Sequence, residues 1–229
     1  TGAGKQSCGT LVFDDLGIGK PFVELARSCG SLLNIEQFKG LAPRDVHSHK
    51  GTYGRLLCIG GNRGTAGAIR LAGEAALRSG AGLVKVFCHE GSTVQVSAGR
   101  PELMVTCDNL HEALDWASCV VIGPGLGQDD WALAAFELAM KHCQTHPKPM
   151  VIDADALNLL SKHALSYSIT DCILTPHAGE AARLLNMSVD EVEADRFNSV
   201  KQCAQRFHAT CVLKGCLLYT SDAADDFVR

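Results

Sequence analysis

The 229-residue chain has no block of like charges, no low-complexity tract and no apolar stretch near the roughly 18 residues of a membrane span. These absences remove whole classes of function. With a net charge of −4 and its cations scattered, the sequence lacks the basic footprint that holds nucleic acid or an anionic membrane surface, so neither partner is expected. No internal repeat points to a solenoid. The N-terminus is neither a methionine nor a charged region leading into an apolar one, so the sequence is expected to begin in mid-protein; a cytoplasmic location is expected from its cysteines, which read as reduced thiols.

Cysteine is plentiful but lacks any working arrangement. The 11 residues are odd in number, evenly spread and contain no C-x-x-C pair, which favours reduced thiols over a disulfide framework or a zinc site. Cys58, Cys88, Cys119, Cys172 and Cys211 sit within or beside apolar runs, where a free thiol behaves as a small buried hydrophobe. None has the basic neighbour that would make a nucleophile of it.

What is present is an alternation of two periods. Arg55 to Ile59, Leu83 to Phe87, Cys119 to Ile122, Met150 to Ile152, Cys172 to Leu174 and Cys211 to Leu213 are short apolar or β-branched runs that read as strands. Between them lie helix-period segments at Ala66 to Ser79, Asp130 to Cys143, Ala156 to His163, Gly179 to Asn186 and Val189 to Phe207, the last opened by the capping box Ser188-x-x-Glu191. Strands buried on both faces between helices imply an α/β fold with a mostly parallel sheet. The first helix is rich in small residues (Ala68, Ala72, Gly73, Ala75, Ala76), which let its backbone lie close to that sheet, and it ends in a glycine stop at Gly80. The stretch 19–50 has weaker periodicity and reads as a linker and entry helix.

In such a fold, ligands sit beyond the carboxyl ends of the strands, and the polar residues of the chain gather in those places. Gly60-Gly-Asn-Arg-Gly-Thr-Ala-Gly67 lies between a strand and a helix, but its glycines match neither the dinucleotide fingerprint nor the phosphate loop, so an anion cradle and a plain tight turn both remain open. Gly123-Pro-Gly-Leu-Gly127 follows a strand in the same way and favours a special backbone over a generic loop. Asp153 and Asp155 end a strand, where carboxylates meet Mg²⁺ or polar ligand groups, with helix capping by Asp155 as the alternative. Asn158 faces either the same cleft or solvent. His177, placed after Pro176 at a strand end, is either a ligand contact or an ordinary turn residue, and Glu180 either lines the cleft or complements the helix dipole. Lys214-Gly215 closes the last strand, with a cation suited to a nucleotide phosphate or simply snorkelling.

Taken in order, His49-Lys-Gly-Thr-Tyr-Gly54, Gly60 to Ala68, Ala75-Ala-Leu-Arg-Ser-Gly-Ala-Gly-Leu83, Arg100-Pro-Glu-Leu-Met104, Gly123 to Gly127, Asp153-Ala-Asp-Ala-Leu-Asn158, Thr175-Pro-His-Ala-Gly-Glu180 and Val212-Leu-Lys-Gly215 closely resemble the ADP-dependent NAD(P)H-hydrate dehydratase domain. The resemblance covers roughly residues 35 to 215, and one mild departure is Ala178, where the family usually has proline. It implies a ribokinase-like three-layer fold, incomplete at the C-terminus, that removes water from the S epimer of hydrated NADH or NADPH (NADHX, NADPHX) using ADP or ATP, with Mg²⁺ and a base. Carried over by position, Ala68, Gly125 and His177 contact the hydrated nucleotide, Lys214 and Gly215 begin the nucleotide-binding segment, and Asp153, Asn158 and Glu180 are further pocket residues. Family members tend to assemble, so a homo-oligomer is expected when the domain is complete.

The resemblance also divides the chain. Residues 1–18 resemble the last strand of the epimerase domain fused ahead of the dehydratase in bifunctional repair enzymes, 51–215 form a partial dehydratase domain, and 216–229 match nothing in the family and read as a non-native tail. The family's catalytic aspartate is expected beyond Gly215, which implies that the 229-residue chain is itself inactive. Two alternatives accompany the dehydratase: a vitamin-precursor kinase of the same architecture, and a non-catalytic nucleotide-binding fragment.

Overall fold

A computed structural model describes residues 8–10, 12, 14–26, 36, 40, 42–163 and 171–215. The segment 216–229, read as a non-native tail, lies outside the described residues, as does much of 1–18 and 19–50. Contacts divide the chain into two compact units, one taking Thr1–Pro43 with Lys214–Arg229 and the other Arg44–Leu213. The first contains one described α-helix, α1 (Gly19–Leu25), with no buried residue.

The second unit alternates strands and helices. Its strands are β1 (Arg55–Ile59), β2 (Leu83–Phe87), β3 (Leu103–Thr106), β4 (Cys119–Ile122), β5 (Met150–Ile152), β6 (Cys172–Leu174) and β7 (Thr210–Cys211). They form one sheet in the order β3-β2-β1-β4-β5-β6-β7, and every neighbouring pair is parallel, which sharpens the expected mostly parallel sheet. Between them run α2 (Ala66–Arg78), α3 (Thr93–Ser97), α4 (Leu110–Trp116), α5 (Asp130–Thr145), α6 (Ala154–His163), α7 (Ala178–Leu185), α8 (Val189–Ala194) and α9 (Arg196–Phe207).

The period-2 alternation of β1 divides the core. Leu57 and Ile59 pack with Val120, Ile122, Met150 and Ile152 against α4 to α9, while Cys58 points the other way, with Val84, Val86 and Leu103, onto α2 and α3. Full burial of one such leucine or isoleucine contributes about 1.5–3 kcal/mol. The small-residue face of α2 does what its composition suggests: an added Cβ on Gly73 would stand 3.0 Å from Leu103, so the helix lies directly on the sheet there. Gly80, at φ +99°, ends the α2 segment by accepting a left-handed backbone.

Three readings of the chain need correction. Val189 to Phe207 is not one helix, because Asp195 leaves helical geometry (φ −140°, ψ 78°) and caps α9 by accepting from the Asn198 amide at 3.0 Å. The last strand is Thr210–Cys211 rather than Cys211 to Leu213. Edge strand β3 and helices α3 and α4 were not anticipated. The described thiols are free; burial pushes the pKa of Cys58 up to about 12 and those of Cys88 and Cys172 to about 11, so all three are inert.

Candidate active site

The strand order reverses between β1 and β4, which makes the carboxyl ends of these two strands the switch point, the place beside which open α/β sheets hold ligands. The segments leaving both ends are glycine-rich, and the structure shows why. The Gly61 and Asn62 amides donate to the carbonyls of Pro124 and Gly125 at 3.1 and 2.7 Å, so the two loops pair backbone to backbone. There is no room for a side chain in the seam: a Cβ on Gly60 would stand 2.2 Å from the Pro124 oxygen, and one on Gly123, itself at φ +126°, only 1.7 Å from the Asp153 oxygen.

Side chains finish what the glycines begin. Asn62, 7% exposed, donates through Nδ2 to the Leu126 carbonyl at 3.1 Å and to Asp129 at 2.9 Å. Its own carbonyl accepts from Ser92 Oγ at 2.9 Å. Asp129 caps α5 by accepting from the Ala132 amide at 3.0 Å; that bond, then the one from Asn62, holds its carboxyl below the ordinary range. Thr65 Oγ1 donates to the Gly125 carbonyl at 2.7 Å and gives α2 no side-chain cap. Gly67 and Ala68 in the first turn of α2 are exposed, and the Ala68 amide donates to the Thr65 carbonyl at 3.2 Å. Asn62, Thr65 and Asp129 escaped the sequence reading. The signal available for Asp129 was an aspartate placed just before an apolar helical run.

At the end of β5, Asp153 is half-buried, while Asp155 is committed: its Oδ2 accepts the Gly127 amide at 2.8 Å. It braces the second glycine loop instead of capping α6. Asn158, half-buried on α6, accepts from Arg183 Nη1 of α7 at 2.9 Å. Beyond β6, His177 is the N-cap of α7. Its Nδ1 accepts from the Gly179 amide at 3.0 Å, and Glu180 returns the bond by accepting the His177 amide at 2.8 Å. Because Nδ1 accepts, the ring proton of neutral His177 sits on Nε2. The side chain is 56% exposed, and Nε2 lies 3.3 Å from Glu180 Oε1. Glu180 itself is buried.

The structure thus brings Gly125, Asp155 and the start of α2 with Ala68 into one seam, and places Asp153, Asn158, His177 and Glu180 at the carboxyl ends of the next two strands. Lys214 and Gly215 are half-buried and belong to the other compact unit.

The family model for NAD(P)H-hydrate dehydratase matches residues 56–219. The chain belongs to the NAD(P)H-hydrate dehydratase family. It is 45% identical over 224 residues to the bifunctional NAD(P)H-hydrate repair enzyme Nnr of Escherichia coli strain K12, a match covering 94% of this chain and 41% of that protein. It is 43% identical over 178 residues to the ADP-dependent (S)-NAD(P)H-hydrate dehydratase of Neisseria meningitidis serogroup B, covering 75% of this chain and 59% of that one. Among solved structures, the ADP/ATP-dependent NAD(P)H-hydrate dehydratase of Bacillus subtilis, co-crystallised with ATP/Mg²⁺, superposes with a TM-score of 0.63 at 32% identity, over 76% of this chain and 62% of that one. The chain therefore spans only part of the length of these relatives. Neither the vitamin-precursor kinase reading nor the expected inactivity of the chain gains support from these matches.

Proposed function

We propose that this chain carries the substrate-binding half of a dehydratase that removes water from the S epimer of hydrated NADH or NADPH, with ADP or ATP as co-substrate. The observation that carries the reading is the interlocked glycine seam at the switch point, with an uncapped helix N-terminus beside it. That arrangement brings the positive dipole end of α2 to a glycine-lined surface that an anionic nucleotide can approach closely. Ala68 and Gly125 line the approach and His177 offers Nε2–H from the neighbouring strand end. Asp153, Asn158 and Glu180 are the further pocket residues; of these Glu180 acts through His177, fixing its cap. Lys214 and Gly215 begin the nucleotide segment.

Hydroxide leaves poorly, so the hydroxyl must first become a better leaving group. Transfer of a phosphoryl group from the nucleotide to that oxygen, with its proton passing to a base, lets the C–O bond break with the oxygen departing as phosphate while an adjacent C–H loses its proton and the ring double bond returns. The half-buried Asp153 carboxylate at the edge of β5 would help hold Mg²⁺, which takes one or two carboxylates plus phosphate oxygens and would supply charge neutralisation for such a transfer.

The domain boundaries expected from the sequence, an epimerase remnant over 1–18 and a partial dehydratase domain over 51–215, belong to the same proposal. So do assembly into a homo-oligomer and a cytoplasmic location; among the described residues no helix is long and apolar enough to cross a membrane.

The test is calorimetric binding of S-hydrated NADPH and of ADP to the full chain and to His177→Asn, which retains a capping oxygen but not the imidazole. The expected outcome is saturable binding of the hydrate, weakened about tenfold in the variant, the scale of one lost hydrogen bond in a site. A chain that binds ADP but not the hydrate is a nucleotide-binding protein only, and the proposal fails.

A further inference from the structure

Helices α4 and α5 each run back from the carboxyl end of one strand to the start of the next, so their last turns lie at the amino-terminal edge of the sheet, opposite the candidate active site. Helix α4 presents His111 from its first turn and Asp115 from its last, four residues apart and hence on one face, and α5 presents His142 from its last turn. His111 Nδ1 is 3.2 Å from Asp115 Oδ2, and His142 Nε2 is 3.6 Å from Asp115 Oδ1. The three side chains converge so closely that a donor atom from each lies within 4.8 Å of the others.

The decisive atom is His142 Nε2. Its side chain is 1% exposed, and this buried nitrogen has no hydrogen-bond partner among the described residues. Buried polar atoms without partners are rare in native structures and call for an explanation. Asp115 does not supply one, since its nearest oxygen is beyond hydrogen-bonding distance and its other oxygen is taken up by His111. Nor does His146, which stacks on His142 with ring centroids 4.9 Å apart and directs its own Nδ1 to Thr145 Oγ1 at 3.0 Å. Lys148 is the cation nearby, and its ammonium is engaged with the carbonyls of Leu114 and Ala117 at the end of α4.

Two imidazoles and a carboxylate are the donor set of a borderline divalent transition ion, not of Mg²⁺ or Ca²⁺. A tetrahedral ion with ligands at about 2.0–2.1 Å spaces its donors about 3.3 Å apart. The 3.2 Å from His111 and 3.6 Å from His142, made to the two different oxygens of Asp115, lie close to that value, so a small movement of the exposed side chains completes the set. We propose that His111, Asp115 and His142 form a site for a zinc-like divalent cation that clamps α4 to α5. The exposure of His111 and Asp115 gives the ion its entry path and leaves a fourth position open to water.

The experiment uses the full chain, stripped of metal, titrated with Co²⁺ and followed by its visible spectrum, with equilibrium dialysis against Zn²⁺ and against Mg²⁺. The expected result is one tightly held equivalent of Co²⁺ or Zn²⁺ with four-coordinate ligand-field bands and no thiolate charge-transfer band, and no comparable uptake of Mg²⁺. His111→Ala and Asp115→Asn alter exposed side chains, so the metal-free variants should keep the wild-type circular dichroism and Tm. Each should lose about 100-fold or more in affinity, at or beyond the cost of losing a supporting residue around a metal. Zn²⁺ should raise the Tm of the wild type and leave both variants unmoved. Equal affinity in wild type and variants, a thiolate band from the cysteines, or no stoichiometric binding would each overturn the proposal.

Discussion

The two ends of the candidate active site are built on opposite principles. At the switch point the loops after β1 and β4 are locked through main-chain atoms, with Gly60 and Gly123 occupying places where no Cβ fits. At the end of β6 the His177 segment satisfies itself through a reciprocal side-chain cap with Glu180 and leaves its imidazole largely in solvent. The first end can be changed only by breaking the fold. The second can be changed in function while the fold stands.

Substitution in the seam is the strongest way to break that contrast. Gly123→Ala forces a methyl group into the Asp153 carbonyl in a backbone region hostile to side chains, and should cost on the order of 3 kcal/mol or more. Urea unfolding would show it as a large drop in midpoint; an unchanged midpoint would mean that the loops are not locked. Next comes Asn62→Ala, which leaves the Leu126 carbonyl and the Asp129 carboxylate short of a donor, with an expected loss of about 2 kcal/mol by the same measurement.

Asp129 gives the comparison a pH dependence. Its folded pKa is depressed by the Ala132 and Asn62 bonds, so its contribution is fully present above the unfolded pKa and is lost as pH falls through the lower folded value. Stability of the wild type should therefore fall in the acid range below the ordinary carboxylate pKa, and Asp129→Asn should flatten that limb. Identical acid profiles would remove the seam from the pH response. The smallest effect belongs to the other end: His177→Ala loses the cap of α7 and about 1 kcal/mol, whereas His177→Asn should recover most of it. If both variants unfold as easily as Gly123→Ala, the two ends are not built differently after all.

The same contrast explains what could be seen in the sequence. The central strands were legible because burial on both faces makes them continuous apolar runs, and the Ser188 box was legible because its caps are local. The edge strand β3 was not, although Leu103-Met104-Val105 is as apolar as the three-residue runs of β5 and β6; at the sheet edge its last three residues are only half-buried. The break at Asp195 hid within a continuous helical period, because a cap made by a single aspartate leaves the hydrophobic pattern intact. At the site, His177 stood out as a residue type, while its role as a cap did not. Asn62 and Asp129 went unnoticed because their meaning lies in a contact across 67 residues of sequence. Glycine motifs announce an unusual backbone, but only the fold shows that two of them are halves of one object.

That object also sets when the site comes into being. Gly61 and Pro124, or Thr65 and Gly125, cannot meet until β1 and β4 have paired over an intervening βαβ excursion through β2 and β3. Closing so long a loop is paid in chain entropy before any contact rewards it, which makes non-local parallel pairing a slow event in folding. The seam is thus among the last features the chain acquires, and a molecule able to hold a ligand there has already passed its most demanding topological step.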